Sequence, residues 1–422
     1  MKSVFAYVIA WVLVAGIPSV QADPTDIELT NFGQTLVLRQ ESPGVYRVRS
    51  SKQRVRVSNR AVLGTNRDFE PDKLLTHDSV IKSLKPIFKG RKQFWRLEFH
   101  EFDSLREWLP KLQQLPGVQL VQPDIMPLGT RFHALPQEVD EEELAKRDSS
   151  NPYRIRALPF LWQRTHGEGV TIAVIDDGFD LQHSQLQHVP LRFEFDAENR
   201  RMSAIPTSLQ ESHGTRVAGI LFGRQDQRAP EGIAPNAALI AIRQPDSWTS
   251  DTILSFHLAA LAGADVVNCS WTSPMLMQPV AEVINELALH GRAGRGLPIV
   301  FSAGNEGRLI RSGSTEAALA NAIVVGAYNE SYVQLDSSNH GPSIDYHAIG
   351  QAIASTANQN DYRLLDGTSL AAAVVTGTIA LLMSTDANIT LQEIELRLSD
   401  ILPKPVPPIS LQTNRAESNN QP

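Results

Sequence analysis

Cysteine is nearly missing from this chain: Cys269 stands alone in 422 residues, so no disulfide can form within it. Stability must then come from a large apolar core or from bound ions. A basic excess is missing too. Asp and Glu number 46 against 39 Lys and Arg, a formal net charge of −7, which argues against nucleic acid or an anionic membrane as the main partner. No internal repeat is evident, and neither a twelve-residue calcium loop nor another metal-ligand cluster can be read. What is present is the composition of a soluble globular protein, 42% apolar and 20% charged, in a chain long enough for two or three domains.

The first residues carry the one membrane-like signal. Lys2 precedes apolar residues 4–17, then Pro18, and Val20-Gln21-Ala22 sets small residues at −3 and −1 of a cleavable bond. Residues 1–22 read as a secretory signal peptide cut after Ala22. An uncleaved anchor is the competing reading, but the run is shorter than the roughly 20 residues that span a bilayer. Export to the periplasm or the exterior is expected, with no stable membrane insertion after cleavage. No cysteine follows the run, so nothing suggests a lipoprotein.

Residues 23–147 read as a small α+β unit with an acidic linker. Residues 36–39 and 45–48 alternate across Ser42-Pro43-Gly44, a hairpin pattern. Trp95, Leu97 and Phe99 alternate with Phe94, Arg96 and Glu98, which predicts a half-buried strand. Ser104 and Glu107 form a capping-box pair ahead of Leu105, Trp108, Leu109, Leu112 and Leu115, an amphipathic helix stopped by Pro116-Gly117. Residues 118–121 form the next strand. From Glu138 to Glu143 the chain is nearly all acidic, and Lys146-Arg147 follows, an exposed linker where cutting is expected.

Residues 148–402 alternate short apolar strands with helices. The runs 170–175, 238–242, 266–269, 299–302 and 323–325 suit buried parallel strands, and 253–262 and 280–289 suit helices. That alternation predicts an α/β fold, a parallel sheet with helices on both faces. The tail, 403–422, is rich in Pro, Asn, Gln and Ser and reads as disordered.

Four motifs in this region carry chemistry. Val174-Ile175-Asp176-Asp177-Gly178 puts a carboxylate at a strand's carboxyl end, where α/β sheets gather their active groups. Ser212-His213-Gly214-Thr215 opens a helix of small residues with an imidazole. Asp366-Gly367-Thr368-Ser369 leads into a helix apolar on every face, whose free N–H groups favour the negative charge that develops when Ser369 attacks a carbonyl. Ser302-Ala303-Gly304-Asn305 is a strand end and turn bearing an amide that can donate to an oxyanion. Acid, imidazole and hydroxyl, in that order, supply a nucleophile, its base and the group that fixes the ring's tautomer.

The order and spacing of the four motifs resemble the subtilases, the subtilisin-like serine proteases, over residues 151–401. Gly232-Ile233-Ala234-Pro235-Asn236-Ala237 and Ser338-Asn339-His340-Gly341-Pro342 resemble structural turns of that family. The resemblance implies a triad of Asp176, His213 and Ser369 with Asn305 as oxyanion donor. It implies that Ser270, Trp271 and Thr272 form an edge strand for substrate backbone, and that Ser302, Ala303 and Gly304 wall the pocket before the cut bond. No cofactor is required for this chemistry; calcium is a common structural ion of the family, though no site for it can be located.

The N-terminal unit resembles a subtilase propeptide, which implies a self-processed zymogen whose partners are protein or peptide substrates and its own propeptide. Asp177, Arg216 and Cys269-Ser270-Trp271 resemble the kexin branch, in which the second Asp helps select a basic residue two before the cut. The acidic residues that follow in kexins are replaced here by Met275, Leu276 and Met277. The family's Pro and His after the serine are Ala373 and Val374, and its Gly after Ser-Trp is Thr272. Those departures leave open a silent scaffold of the same fold, and nothing in the residues separates hydrolysis from peptide ligation.

Overall fold

The structure, a computed structural model, describes residues 25–129 and 151–402, apart from Ser312 and Ala352. The expected signal peptide, the acidic linker with Lys146-Arg147 and the terminal tail lie outside the described residues.

Alternating apolar residues at the start of the described chain form β1 (Ile27–Asn31), β2 (Gln34–Ser42), β3 (Val45–Val48) and β4 (Arg54–Thr65). After α1 (Pro71–Leu75) come β5 (Ile81–Lys89), β6 (Gln93–Phe99), α2 (Phe102–Leu112) and β7 (Val118–Leu128). The strands build one antiparallel sheet in the order β1-β2-β3-β4-β6-β5, with β7 paired to β4. The hairpin across Ser42-Pro43-Gly44 is present as β2–β3.

Two local expectations are corrected. Helix α2 starts at Phe102 behind Glu101, with no side-chain cap, so Ser104 lies inside the first turn and forms no capping box. Strand β6 buries Leu97 and Phe99 on one face, but Phe94 on the other is also buried. Phe94 packs on Phe88, and Phe88 packs on His257 of the following domain, so both faces of this sheet are covered.

That following domain is built on a seven-stranded sheet, all parallel. Its strands are β8 (Thr171–Asp176), β9 (Leu191–Asp196), β10 (Ala238–Arg243), β11 (Val266–Cys269), β12 (Ile299–Ser302), β13 (Ile323–Tyr328) and β14 (Tyr346–Ile349), in the order β14-β13-β12-β11-β8-β10-β9. Alternate residues of the central strands enter different cores. Ala173 and Ile175 face α5 (Thr249–Leu261) and α6 (Gln278–Gly294). Ile172 and Val174 face α4 (His213–Phe222) and α7 (Gly367–Thr385). Burial on both faces is why these strands read as continuous apolar runs. Smaller elements complete the domain: α3 (Leu158–Trp162), the hairpin β15 (Ile353–Ala357) with β16 (Asp361–Leu365), and α8 (Leu391–Ile401). Cys269 is fully buried on β11.

Helix α7 is long and apolar enough to cross a membrane, but it is buried in the protein. Its residues 367–383 are all buried, which makes it the central helix of one core.

The two domains meet at the N-termini of α5 and α6, whose first N–H groups have no partner within their helices. Neither helix carries a side-chain cap of its own. Asp124 of β7 accepts from Ser250 N (2.9 Å) and Ser250 Oγ (2.8 Å) on α5. Asn31 of β1 accepts from Gln278 N on α6 (2.8 Å) and donates to Leu276 O (3.1 Å). Lys92 pairs with Glu282 at 2.8 Å along the same face. The first domain therefore supplies the caps that the second lacks.

Candidate active site

Strand register brings the expected site residues to one rim. Asn268 pairs with Val174, so two residues further on Ser270 is level with Asp176. Cys269 pairs with Phe301, which sets Ser302 beside Ser270. Asp176, Ser270 and Ser302 thus end three adjacent parallel strands at their carboxyl edge, where side chains of an open α/β sheet converge.

Asp176 is fully buried, and its Oδ1 accepts from Asp177 N at 2.8 Å and lies 2.8 Å from His213 Nδ1. His213 is the first residue of α4, as the sequence suggests. Close packing makes that pairing: a Cβ on Gly214 would stand 2.5 Å from Gly178 O and 2.9 Å from Asp176 Cβ. Only a glycine lets the helix start lie against β8.

Asp177 has a different place from the one expected. It is 5% exposed, and its two oxygens accept from His213 N (3.1 Å) and Gly214 N (2.8 Å). Ser212, the residue before the helix, makes no side-chain cap bond, so Asp177 caps α4 instead. A carboxylate held on two backbone donors inside the protein is not a surface for a substrate side chain. Burial, and then the adjacent Asp176 charge, push its carboxyl up to about 7. Arg216, one turn along α4, is also buried, and the charges of Asp177, Asp176 and Asp366 support its positive charge against that burial.

Ser369 lies in the first turn of α7, with Asp366 as the N-cap residue. Its hydroxyl donates to Ser270 O at 3.0 Å, and Ser270 Oγ donates back to Ser369 O at 3.0 Å. The turn is pinned from a second side. Asn305 Oδ1 accepts from Thr368 N (2.9 Å) and Thr368 Oγ1 (3.0 Å). A backbone N–H can only donate, so the amide's oxygen is the atom facing α7. Nδ2 remains the donor end of Asn305.

The remaining predicted residues divide. Trp271 is fully buried, donating its indole N–H to Ile175 O at 2.6 Å and meeting Phe301 edge-on. Its side chain is core, which leaves its backbone for the pairing expected of residues 270–272. Thr272 is half-buried and lies outside the strands. Ser302 and Ala303 are buried, and Ala303 N donates to Val325 O. Gly304 has φ +95, and a Cβ there would stand 2.5 Å from Asn339 Nδ2.

Four residues of this site escaped the reading of the motifs. Asn268, fully buried, donates to Ser270 Oγ (3.0 Å) and accepts from Thr376 of α7 (2.9 Å). Thr368 also accepts from Gly304 N at 3.1 Å. Asn339 donates to Ala303 O (2.8 Å) and to Glu306 (2.6 Å) and fixes the turn that bears Asn305. Glu316, 3% exposed, takes the N–H and hydroxyl of Ser273. Thr368 and Asn339 stand inside motifs already noted, so proximity in sequence was a usable signal; Asn268 and Glu316 gave none. Among the described residues no group of three or more His, Cys, Asp or Glu is arranged to hold a metal ion.

A parallel sheet with an aspartate, a histidine at a helix start and a serine at a buried helix N-terminus defines a class, the subtilisin-like serine proteases. Comparison with known proteins agrees: residues 167–400 match the subtilase family, and the chain belongs to it. It is 30% identical over 273 residues to subtilisin E of Bacillus subtilis (strain 168), covering 62% of this chain and 68% of that one. It is 33% identical over 238 residues to the thermophilic serine proteinase of Bacillus sp. (strain AK1), covering 54% and 56%. Among solved structures it is similar to fervidolysin from Fervidobacterium pennivorans, a keratinolytic enzyme related to subtilisin, with TM-score 0.62, 20% identity, and 82% of this chain and 57% of that one covered. That share is larger than residues 167–400 make up, so the likeness in fold reaches into the N-terminal domain.

Proposed function

We propose that this serine protease is an exported endopeptidase in which Asp176 orients His213, His213 takes the proton of Ser369, and Ser369 attacks the peptide carbonyl. The observation that carries the reading is the Asp176–His213 pair at 2.8 Å, set at the same rim as a serine on a helix N-terminus. For attack, the Ser369 hydroxyl leaves Ser270 O and turns to His213 Nε2; such bonds tighten when substrate binds. The proton moves to the imidazole as the oxygen–carbon bond forms. The carbonyl oxygen gains the electron pair and is held by Asn305 Nδ2 and the Ser369 N–H. Collapse of that intermediate expels the amine, which takes the proton from His213, and water repeats the sequence on the acyl-enzyme. No cofactor enters these steps.

Substrate backbone lies along residues 270–272 as an added strand, which favours extended or unfolded chains. Residues 23–147 act as intramolecular chaperone and inhibitor. The caps that Asp124 and Asn31 place on α5 and α6 support this, because both helices otherwise begin without one. A serine-directed fluorophosphonate probe tests the catalytic reading. Labelling of the wild type and none of Ser369→Ala is the expected result, and an unlabelled wild type would favour a silent scaffold.

A further inference from the structure

Asn268 lies on β11 and Ser270 just past its end, two residues on, so their side chains share a face. Ser369 and Thr376 are seven residues apart on α7, about two turns, and share a face of that helix. Helix α7 packs on β11, and the two pairs meet. All four residues are buried. Thr376 Oγ1 donates to Asn268 Oδ1 at 2.9 Å, and Asn268 Nδ2 donates to Ser270 Oγ at 3.0 Å. Ser270 Oγ then donates to Ser369 O at 3.0 Å, and α7 itself closes the ring from Ser369 back to Thr376.

The ring can be filled in one sense only. A carbonyl oxygen accepts, so Ser270 spends its single proton on Ser369 O. Its own oxygen is left to accept, which turns Nδ2 of Asn268 toward it and Oδ1 toward the Thr376 hydroxyl. When the Ser369 hydroxyl leaves Ser270 O to attack, the bond from Ser270 Oγ to Ser369 O stays in place. It holds the backbone of the nucleophile to β11, the strand that runs into the stretch for substrate backbone. Serine and substrate are thereby set at one height, and a misplacement of about 1 Å can cost about 100-fold in rate.

We propose that Asn268 is a positioning residue for the nucleophile: gripped by Thr376, it orients Ser270 and through it fixes Ser369 against the substrate stretch. The proposal rests on the peptidase reading above and deepens it.

The test uses the full-length chain as purified, with unfolded casein as substrate and kcat counted per serine labelled by the fluorophosphonate. Thr376→Val should lower kcat by about tenfold, the net worth of one hydrogen bond, and leave KM within about twofold. Thr376→Ser keeps the hydroxyl and should restore kcat. Thr378 is the control, because it is buried in the same helix but donates to Val374 O at 2.8 Å, within α7. Thr378→Val should therefore keep the wild-type kcat. If Thr376→Val does not fold, Ser270→Ala opens the ring at its other end and should show the same fall. Wild-type kcat in either folded ring variant, no rescue by Thr376→Ser, or an equal fall in Thr378→Val overturns the proposal and leaves the peptidase reading standing. A wild type that neither takes the label nor cuts casein overturns that reading, and the proposal falls with it.

Discussion

Asn305→Asp separates the two jobs assigned to one amide. In the wild type Oδ1 takes both Thr368 N and Thr368 Oγ1, at 2.9 and 3.0 Å, and Nδ2 is left to donate. Aspartate has the same shape, so one carboxylate oxygen keeps both bonds to α7. Its charge also lies at a helix N-terminus, which favours it by about 0.3–1 kcal/mol. The fold should therefore hold, with Tm unchanged or raised. Catalysis should collapse for two reasons. Loss of one oxyanion donor costs about 100- to 1000-fold in turnover, or about 2.7–4 kcal/mol, a range taken from subtilisin-type sites. The new negative charge then opposes the oxyanion by about 4 kcal/mol at about 4 Å and an effective dielectric of about 20. Peptide turnover at saturating substrate, measured with thermal unfolding of the same sample, is the assay. Turnover within about tenfold of wild type would refute the role given to Nδ2, and a fall in Tm would refute the role given to Oδ1.

Three further outcomes follow from the geometry. Gly214→Ala should lower kcat by about 100-fold, because its Cβ would stand 2.9 Å from Asp176 Cβ and force His213 off its partner; wild-type kcat would show that the contact is not tight. Asp177, raised to about 7, keeps a proton in the folded chain that the unfolded chain has released, so its stabilisation is whole below about pH 4 and gone above about pH 7. Asp177→Asn should flatten the fall of Tm with pH across that window, and an unchanged slope would count against the buried acid. Asp124→Ala removes the cap on α5 and leaves Arg60, 2.7 Å away, without its acid, a loss of about 3–5 kcal/mol at the domain interface. Hydrogen exchange in β7 should then quicken while α4 stays protected, and equal protection in both would overturn the capping argument.

How much of this was legible in the chain varies with the reach of each interaction. Strands β11 and β12 have the bounds that their apolar runs suggest, and α4 begins at His213, because the signals are local. The edge strands β9 and β14 and the hairpin β15–β16 gave no continuous apolar run and went unread. Asp177 was read as a contact for a substrate side chain from a resemblance of local motif. Whether a side chain points to a cleft or to the core depends on the neighbouring strand, and no local pattern records it.

The sequence by itself determined the chemistry available, an acid, an imidazole, a hydroxyl and an amide in subtilase order, and the parallel α/β frame that apolar periodicity demands. Only the tertiary structure decided which aspartate meets His213 and which caps its helix. It alone set Asn305 against Thr368, gave α5 and α6 their caps from another domain, and joined the buried Glu316 to Ser273. Each of these contacts joins residues distant along the chain, and a hydrogen bond closes only once strand register and helix packing have brought its two ends within about 3 Å.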